Sequence, residues 1–363
     1  MSEFVLTAIN SNIGFITLDR PKALNSLSLD MVRAITAALL GWRNNSSVQA
    51  VVIRSSSEKA FCAGGDIRFF HEAGHSTPQG GSALLEDFFT EEYALNHLIH
   101  HYPKPYVAMM DGIVMGGGMG VAQGGASNRL RIVTDRTRMA MPEVNIGLFP
   151  DVGGSYFLSR APGQLGTYLG VTGDIIRAID ALYAGLADIF IPTTALPALF
   201  NMLASHDGGD IRQAIQTFAA PFKKEADPNA STLAMQRDAI DRHFSHDDVL
   251  AIISSLANDE STFAKETLAT MKKRSPLMMC VTLSQLRRGI TMGVAECLRM
   301  ERLMVRRSFE HGEVLEGIRS VVIDKDNTPK WHPASLEAVT PEMIARFFEP
   351  AWPAHAHPLR DLS

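Results

Sequence analysis

PYVAMMDGIVMGGGMGVAQGGASNRLRIVTDRTRMAMPEVNIGLFPDVGG, residues 105–154, is the stretch whose reading decides the fold. Its first apolar run, Tyr106 to Met110, has the length and composition of a buried strand. The run breaks at Asp111-Gly112 and leads to three consecutive glycines, Gly116, Gly117 and Gly118. Met119 to Gln123 then carries the small and apolar residues of a buried helical turn. Strand, glycine loop and helix start in succession present bare backbone N–H groups at the positive end of a helix dipole, where an anionic oxygen can be held. Further on stand two carboxylates, Glu143 and Asp151, each directly after a proline. An oxyanion cradle followed by paired carboxylates points to acyl chemistry.

Upstream, Phe4 to Ile9 and Ile13 to Leu18 read as strands joined by the turn Asn10-Ser11-Asn12. Ser28 is placed to cap a helix in which Leu29, Val32, Ile35, Leu39 and Trp42 recur at helical spacing. Val48 to Ile53 reads as a strand, and Phe61 to Asp66 as a tight loop with Asp66 capping a helix from Ile67. Gly74 to Ser82 reads as a mobile loop, and residues 83–101 as a helix. Strands alternating with helices predict an α/β fold with a mainly parallel sheet. From about Asp174 the β-branched runs thin out and helices dominate, which predicts a catalytic core over 1–190 and a mainly helical region over 191–363.

Composition narrows the class. The chain has 363 residues, 46% hydrophobic and 20% charged, enough for a large core in a globular protein. A net charge of −5 gives no electrostatic case for nucleic acid or an anionic membrane as partner. Three cysteines, Cys62, Cys280 and Cys297, lie far apart with no C-x-x-C pair, which argues against disulfides and structural zinc and for a reducing compartment. No apolar run approaches membrane-spanning length, and the N-terminus enters a strand pattern without a basic leader, so the expected location is the cytoplasm.

Several blocks together carry a resemblance. FCAGGDI at 61–67, MDGIVMGGGMG at 110–120 and MPEVNIGLFPDVGG at 141–154 resemble the enoyl-CoA hydratase/isomerase (crotonase) superfamily. SPLMMCVTLSQLRRG, AECLRMERLMVRRSFE and EGIRSVVIDKDNTPKW, all near the C-terminus, are similar to the branch that hydrolyses 3-hydroxyisobutyryl-CoA, a thioester of valine breakdown. The resemblance implies a crotonase-like spiral of ββα units followed by a helical C-terminal region, with a coenzyme A thioester as ligand. It implies that the backbone N–H groups of Ala63 and Gly117 hold the thioester oxygen. Hydratases of the superfamily carry one glutamate where this chain has Gly120 and another at the position of Glu143. Glycine cannot transfer a proton, so the two-glutamate hydration of a double bond is disfavoured here. Asp151 stands where the hydrolases have aspartate. The reaction implied is thioester hydrolysis, with Glu143 as general base or as nucleophile forming a mixed anhydride, and Asp151 positioning substrate or water. Glu92, in TEEYALN, matches the position expected to meet the substrate's 3-hydroxyl group. No cofactor is implied beyond the coenzyme A of the substrate, and no metal. Relatives of this family often form trimers or pairs of trimers, so a homo-oligomer is compatible with the sequence without being required by it.

Competing readings are weaker. Neither G-x-G-x-x-G nor G-x-x-x-x-G-K-[ST] stands in a strand–turn–helix setting, so the glycines do not signal a nucleotide. His97, His100 and His101 share a helix face but lack an acid or cysteine to complete a metal set. Cys62, without a histidine in its block, reads as a small buried residue rather than a nucleophile. Lys22 lies in a loop that resembles the one near the coenzyme A moiety, where it meets either a phosphate or solvent. Gln123 to Arg131 is longer than the family pattern between glycine triplet and next strand.

Overall fold

The opening hairpin forms as read: β1 (Val5–Asn10) and β2 (Ile13–Leu18) pair antiparallel, with Ser11 at φ 54° in the turn. These coordinates come from a computed structural model that describes residues 2–77, 81–124, 128–206 and 208–363. The chain divides into two units, each drawn from three stretches: 1–65, 95–140 and 175–235 in the first, and 66–94, 141–174 and 236–363 in the second. The stretch after residue 190 is therefore shared between them.

The first unit holds every strand found among the described residues. After the hairpin come β3 (Ala50–Ser55), β4 (Ala60–Cys62), β5 (Tyr106–Met110), β6 (Ile113–Met115), β7 (Arg129–Val133), β8 (Arg138–Ala140), β9 (Ile176–Arg177) and β10 (Ile189–Phe190). One sheet has the order β1-β2-β3-β5-β7-β10, parallel from β2 onward; the other has the order β4-β6-β8-β9, parallel except for its last pair. Consecutive strands thus alternate between sheets: β3 then β4, β5 then β6, β7 then β8. Each such pair with its following helix is one ββα turn, the repeat that the resemblance implies. Because β2, β3, β5 and β7 pair on both edges, their residues read as apolar runs rather than as an alternation. Ile13, Phe15, Val52, Val107, Met109 and Ile132 form one core, closed by Leu199, Leu203, Ile211 and Ile215 from helices farther along. The helix Leu29–Arg43 is capped by the Ser28 hydroxyl, which accepts from Met31 N–H, and buries Val32, Ile35, Leu39 and Trp42 as its spacing predicts.

The second unit is helical. It contains Ile67–His75, Leu165–Thr172, Val249–Ala257, Thr262–Met271, Pro276–Gly289, Val294–His311 and Glu313–Ile318, and the first part of the helix Ala83–His100, which ends in the other unit. Phe70, Phe88, Phe89, Tyr93 and Phe309 stack edge-on or tilted in its interior, with centroids 4.8–5.9 Å apart. Gly74, expected in a loop, instead lies in the last turn of Ile67–His75. A Cβ there would stand 2.7 Å from Leu315, so its bareness serves close helix packing rather than mobility. The rest of that loop reading falls partly on residues 78–80, outside the described residues. Likewise 125–127, within the long Gln123–Arg131 segment, lie outside them. Among the described residues no helix is long and apolar enough to cross a membrane.

Candidate active site

In the first unit the glycine triplet and the FCAGGD loop meet. Asn25, at φ 55°, fixes the loop before them: its amide donates to Ser55 Oγ and to the Ala60 and Phe61 carbonyls, while its oxygen accepts from Arg20 N–H at 2.7 Å. This places the neighbouring Leu24 carbonyl 3.0 Å from the Ala63 N–H, which donates to it. Ala63 is therefore corrected as an oxyanion donor, because its N–H is already engaged. Two residues on, past Gly64 at φ 108°, the Gly65 N–H has no partner among the described residues. The Gly117 N–H, first in the helix Gly117–Ala122, has none either. The two segments lie side by side: a Cβ on Gly64 would be 3.7 Å from the Gly117 nitrogen, and one on Gly118 would be 2.3 Å from the Cys62 carbonyl oxygen. Gly118 is bare because backbone passes backbone there, which is the packing reason for a glycine triplet. Gly65 and Gly117 remain as donors. Gly120, buried in the same helix, brings no acid.

The other sequence-selected groups of this unit stay apart from that chemistry. Cys62 is buried and its thiol lies 3.7 Å from the Gly64 carbonyl, the contact of a small packed residue. Lys22 is exposed in the short turn Pro21–Ala23. The rings of His97 and His101 lie 4.4 Å apart, and among the described residues no group of three or more His, Cys, Asp or Glu is placed to hold a metal ion.

The second unit gathers the acids. Glu143 opens the 3-10 turn Glu143–Ile146, which Gly147 ends at φ 69°. Asp151 precedes Val152 and Gly153, both left-handed at φ 51° and 91°. Glu92 projects from the helix Ala83–His100, where the neighbouring Tyr93 hydroxyl donates to Asp151 Oδ2 at 2.6 Å. Glu92, Glu143 and Asp151 are 2%, 6% and 5% exposed, so three carboxyl groups are buried close enough to feel one another's charge. Among the described residues, one oxygen of Glu92 and one of Glu143 find no hydrogen-bond partner. Buried acceptors left empty are uncommon and mark places where a ligand or water completes the bonding.

Electrostatics follow from this burial. Burial, and then the Asp151 charge, raise Glu143 and Glu92 well above the usual carboxylate range. Asp151 rises to about 6 by burial, with the Tyr93 hydrogen bond pulling the other way. The Asp151 charge thus raises the proton affinity of both neighbouring carboxyl groups. Raised proton affinity in a buried carboxyl with an unfilled oxygen suits a general base or acid at neutral pH.

Three residues that hold Asp151 or the turn around it escape sequence reading. Tyr93 is one. Gln285, fully buried, donates to the Pro150 carbonyl at 2.6 Å and to Ser155 Oγ at 2.8 Å. Glu301, also fully buried, accepts from Gly153 N–H at 2.7 Å and Ser155 N–H at 2.8 Å. Glu301 did leave a signal: in Val294–His311 it sits on the face made by Cys297, Leu298, Met304, Val305 and Ser308, an acid where the helical period calls for an apolar residue.

Fold, free N–H pair and buried acids agree with what sequence comparison gives: residues 13–348 match the enoyl-CoA hydratase/isomerase family, and the chain belongs to it. Among its relatives is a Danio rerio protein named 3-hydroxyisobutyryl-CoA hydrolase, mitochondrial, 40% identical over 92% of this chain and 86% of its own. Another, from Neurospora crassa, is named small ribosomal subunit protein mS47 and is 38% identical over 91% of this chain and 68% of its own. A solved structure described as a carnitinyl-CoA dehydratase from Mycobacterium thermoresistibile superposes with a TM-score of 0.88 at 38% identity, covering 97% of this chain and 98% of the other. One fold therefore appears under three unlike names, and the residues of the site must choose among them.

Proposed function

We propose that this chain hydrolyses a short-chain acyl-CoA thioester, with 3-hydroxyisobutyryl-CoA as the substrate and 3-hydroxyisobutyrate and coenzyme A as products. The observation that carries the reading is the buried pair Glu143 and Asp151, with an unfilled Glu143 oxygen, in a chain whose Gly120 lacks the second acid of a hydratase. The name of the Danio rerio relative supports it. In hydrolysis a water oxygen bonds to the acyl carbon, the carbon–sulfur bond breaks, and the departing sulfur receives a proton. Glu143 is the group for that proton traffic, taking it from water, or attacking the carbonyl itself before water resolves the anhydride. Asp151, steadied by the Tyr93 hydroxyl, orients the reacting group. Gly65 and Gly117 offer two N–H donors to an acyl oxygen that gains charge; such donors are worth ~3–4 kcal/mol each in well-studied cases. Glu92 reads the 3-hydroxyl group through its unfilled oxygen.

No cofactor beyond the substrate's coenzyme A enters this reading. Neither nucleic acid nor a membrane is a partner in it. A homo-oligomer remains compatible with it. We place the protein in a reducing compartment, the cytoplasm, because Cys62, Cys280 and Cys297 form no disulfide among the described residues. The Danio rerio relative is named for the mitochondrion, so fractionation of the native host is the deciding observation. Thiol release from a panel of acyl-CoA thioesters tests the activity. An acyl-CoA that is bound but never cleaved would favour a non-catalytic role of the kind suggested by the ribosomal name.

A further inference from the structure

Buried acids normally find a cation or titrate away. Glu301 adds a third device, accepting two backbone N–H groups, while burial also raises its proton affinity. It is 0% exposed and lies on the apolar face of its helix, with both oxygens spent on backbone N–H groups of one short turn. That turn is unusual in its own right. Val152 is β-branched yet holds φ 51°, a left-handed conformation that L residues rarely adopt, and Gly153 follows at φ 91°. Backbone of this kind persists only where its surroundings over-determine it. The surroundings are two side chains from separate helices: Glu301 from Val294–His311 takes the Gly153 and Ser155 N–H groups, and Gln285 from Pro276–Gly289 takes the Pro150 carbonyl and the Ser155 hydroxyl. Between those four anchor points stands Asp151.

We infer that Glu301 is a positioning residue: its carboxylate clamps the left-handed turn Val152–Gly153 and so fixes the direction in which Asp151 points. The inference rests on the hydrolase reading for its effect on turnover and on geometry alone for the clamp. Glu301 needs both oxygens, so an amide cannot replace it. In Gln, one oxygen still accepts an N–H while the amide nitrogen confronts the other as donor against donor. Aspartate keeps the charge but is one methylene short.

Glu301 also sits in the field of its neighbours. The titratable groups that face it are Asp151, Glu143 and Tyr93, with Cys297 on its own helix. Burial pushes it up to about 8, while the N–H donors of Ser155 and Gly153 pull the other way. Its charge in turn helps to hold Glu143 high. Glu301→Gln removes that charge only above about pH 8, where the wild-type group is ionised.

Two measurements test the clamp. The first is amide hydrogen exchange of the full chain, which needs no activity. In Glu301→Gln, exchange at Gly153 and Ser155 is expected to quicken by ~10-fold or more relative to amides of the first unit's sheet. Unchanged exchange at both overturns the clamp. The second is kinetic, on the hydrolysed thioester. Glu301→Gln is expected to lower kcat by ~10²-fold, the scale of a small misplacement at a reacting centre, with KM nearly unchanged. The double variant Glu301→Gln/Asp151→Asn should be no slower than Asp151→Asn alone, because residues acting as a unit are not additive. Fully additive losses overturn the inference that Glu301 acts through Asp151. Glu301→Asp is read by the same two measurements if the amide variant does not fold. Absence of thiol release by wild type would sink the hydrolase reading while leaving the exchange result to decide the clamp.

Discussion

Glu143 is where the chemistry is concentrated. Its carboxyl is buried, lifted well above its usual range by burial and by Asp151, and one oxygen is unfilled. Replacing it with Gln keeps the shape and removes both basicity and nucleophilicity. Glu143→Gln is expected to lower turnover by ~10²–10⁴-fold, the usual cost of losing a general base, while thioester binding by calorimetry stays near that of wild type. Turnover above half of wild type would rule Glu143 out of either role. Glu92 is a matter of selectivity. If its empty oxygen meets the substrate's 3-hydroxyl, Glu92→Ala should reduce kcat/KM for 3-hydroxyisobutyryl-CoA far more than for isobutyryl-CoA. The preference between them should shrink by ~10²-fold or more, as when a buried polar partner is lost. An equal fall on both substrates would return Glu92 to a purely structural part.

The elements that carry these side chains are short turns, and they depend on what packs behind them. The 3-10 turn Glu143–Ile146 lies against the helix Glu313–Ile318, where a Cβ on Gly317 would stand 2.2 Å from the Ile146 carbonyl carbon. Gly317→Ala must push that turn away. Overpacking of this sort costs ~1–3 kcal/mol, so the urea midpoint should fall and turnover should fall with it. A variant as stable and as active as wild type would mean that the helix does not support Glu143. The same packing explains what the sequence could and could not tell. The hairpin, the helix Leu29–Arg43, the strand Tyr106–Met110 and the acids after Pro142 and Pro150 were legible because each announces itself locally, by period, cap or punctuation. That the Ala63 N–H is spent on the Leu24 carbonyl, a neighbour of Asn25, is a contact no local pattern announces. Gln285 and Glu301 meet the Asp151 turn from 135 and 148 residues away in sequence, and no local pattern encodes such a pairing.

At the scale of the whole molecule, the buried acids set how stability responds to pH. Asp151 at about 6 and Glu301 at about 8 both lie above their ordinary values of 3.8 and 4.5, so the folded chain binds these protons more tightly than the unfolded one. Their contribution favours folding fully below about pH 4 and is lost as pH rises through 6 and then 8, at ~1.4 kcal/mol per pH unit for each proton held. The urea midpoint should therefore decline from pH 5 to pH 8 by more in wild type than in Glu301→Gln. Equal slopes would show that Glu301 does not hold its proton in the folded state.

The measurement closest to the central claim is free thiol release from 3-hydroxyisobutyryl-CoA, isobutyryl-CoA and crotonyl-CoA by the wild-type chain, with loss of the crotonyl double bond followed in parallel. Rapid thiol release from 3-hydroxyisobutyryl-CoA, slower release from isobutyryl-CoA and no hydration of crotonyl-CoA are the expected results. Efficient hydration without thiol release would contradict that claim, because Gly120 would then have been given a weight it does not bear.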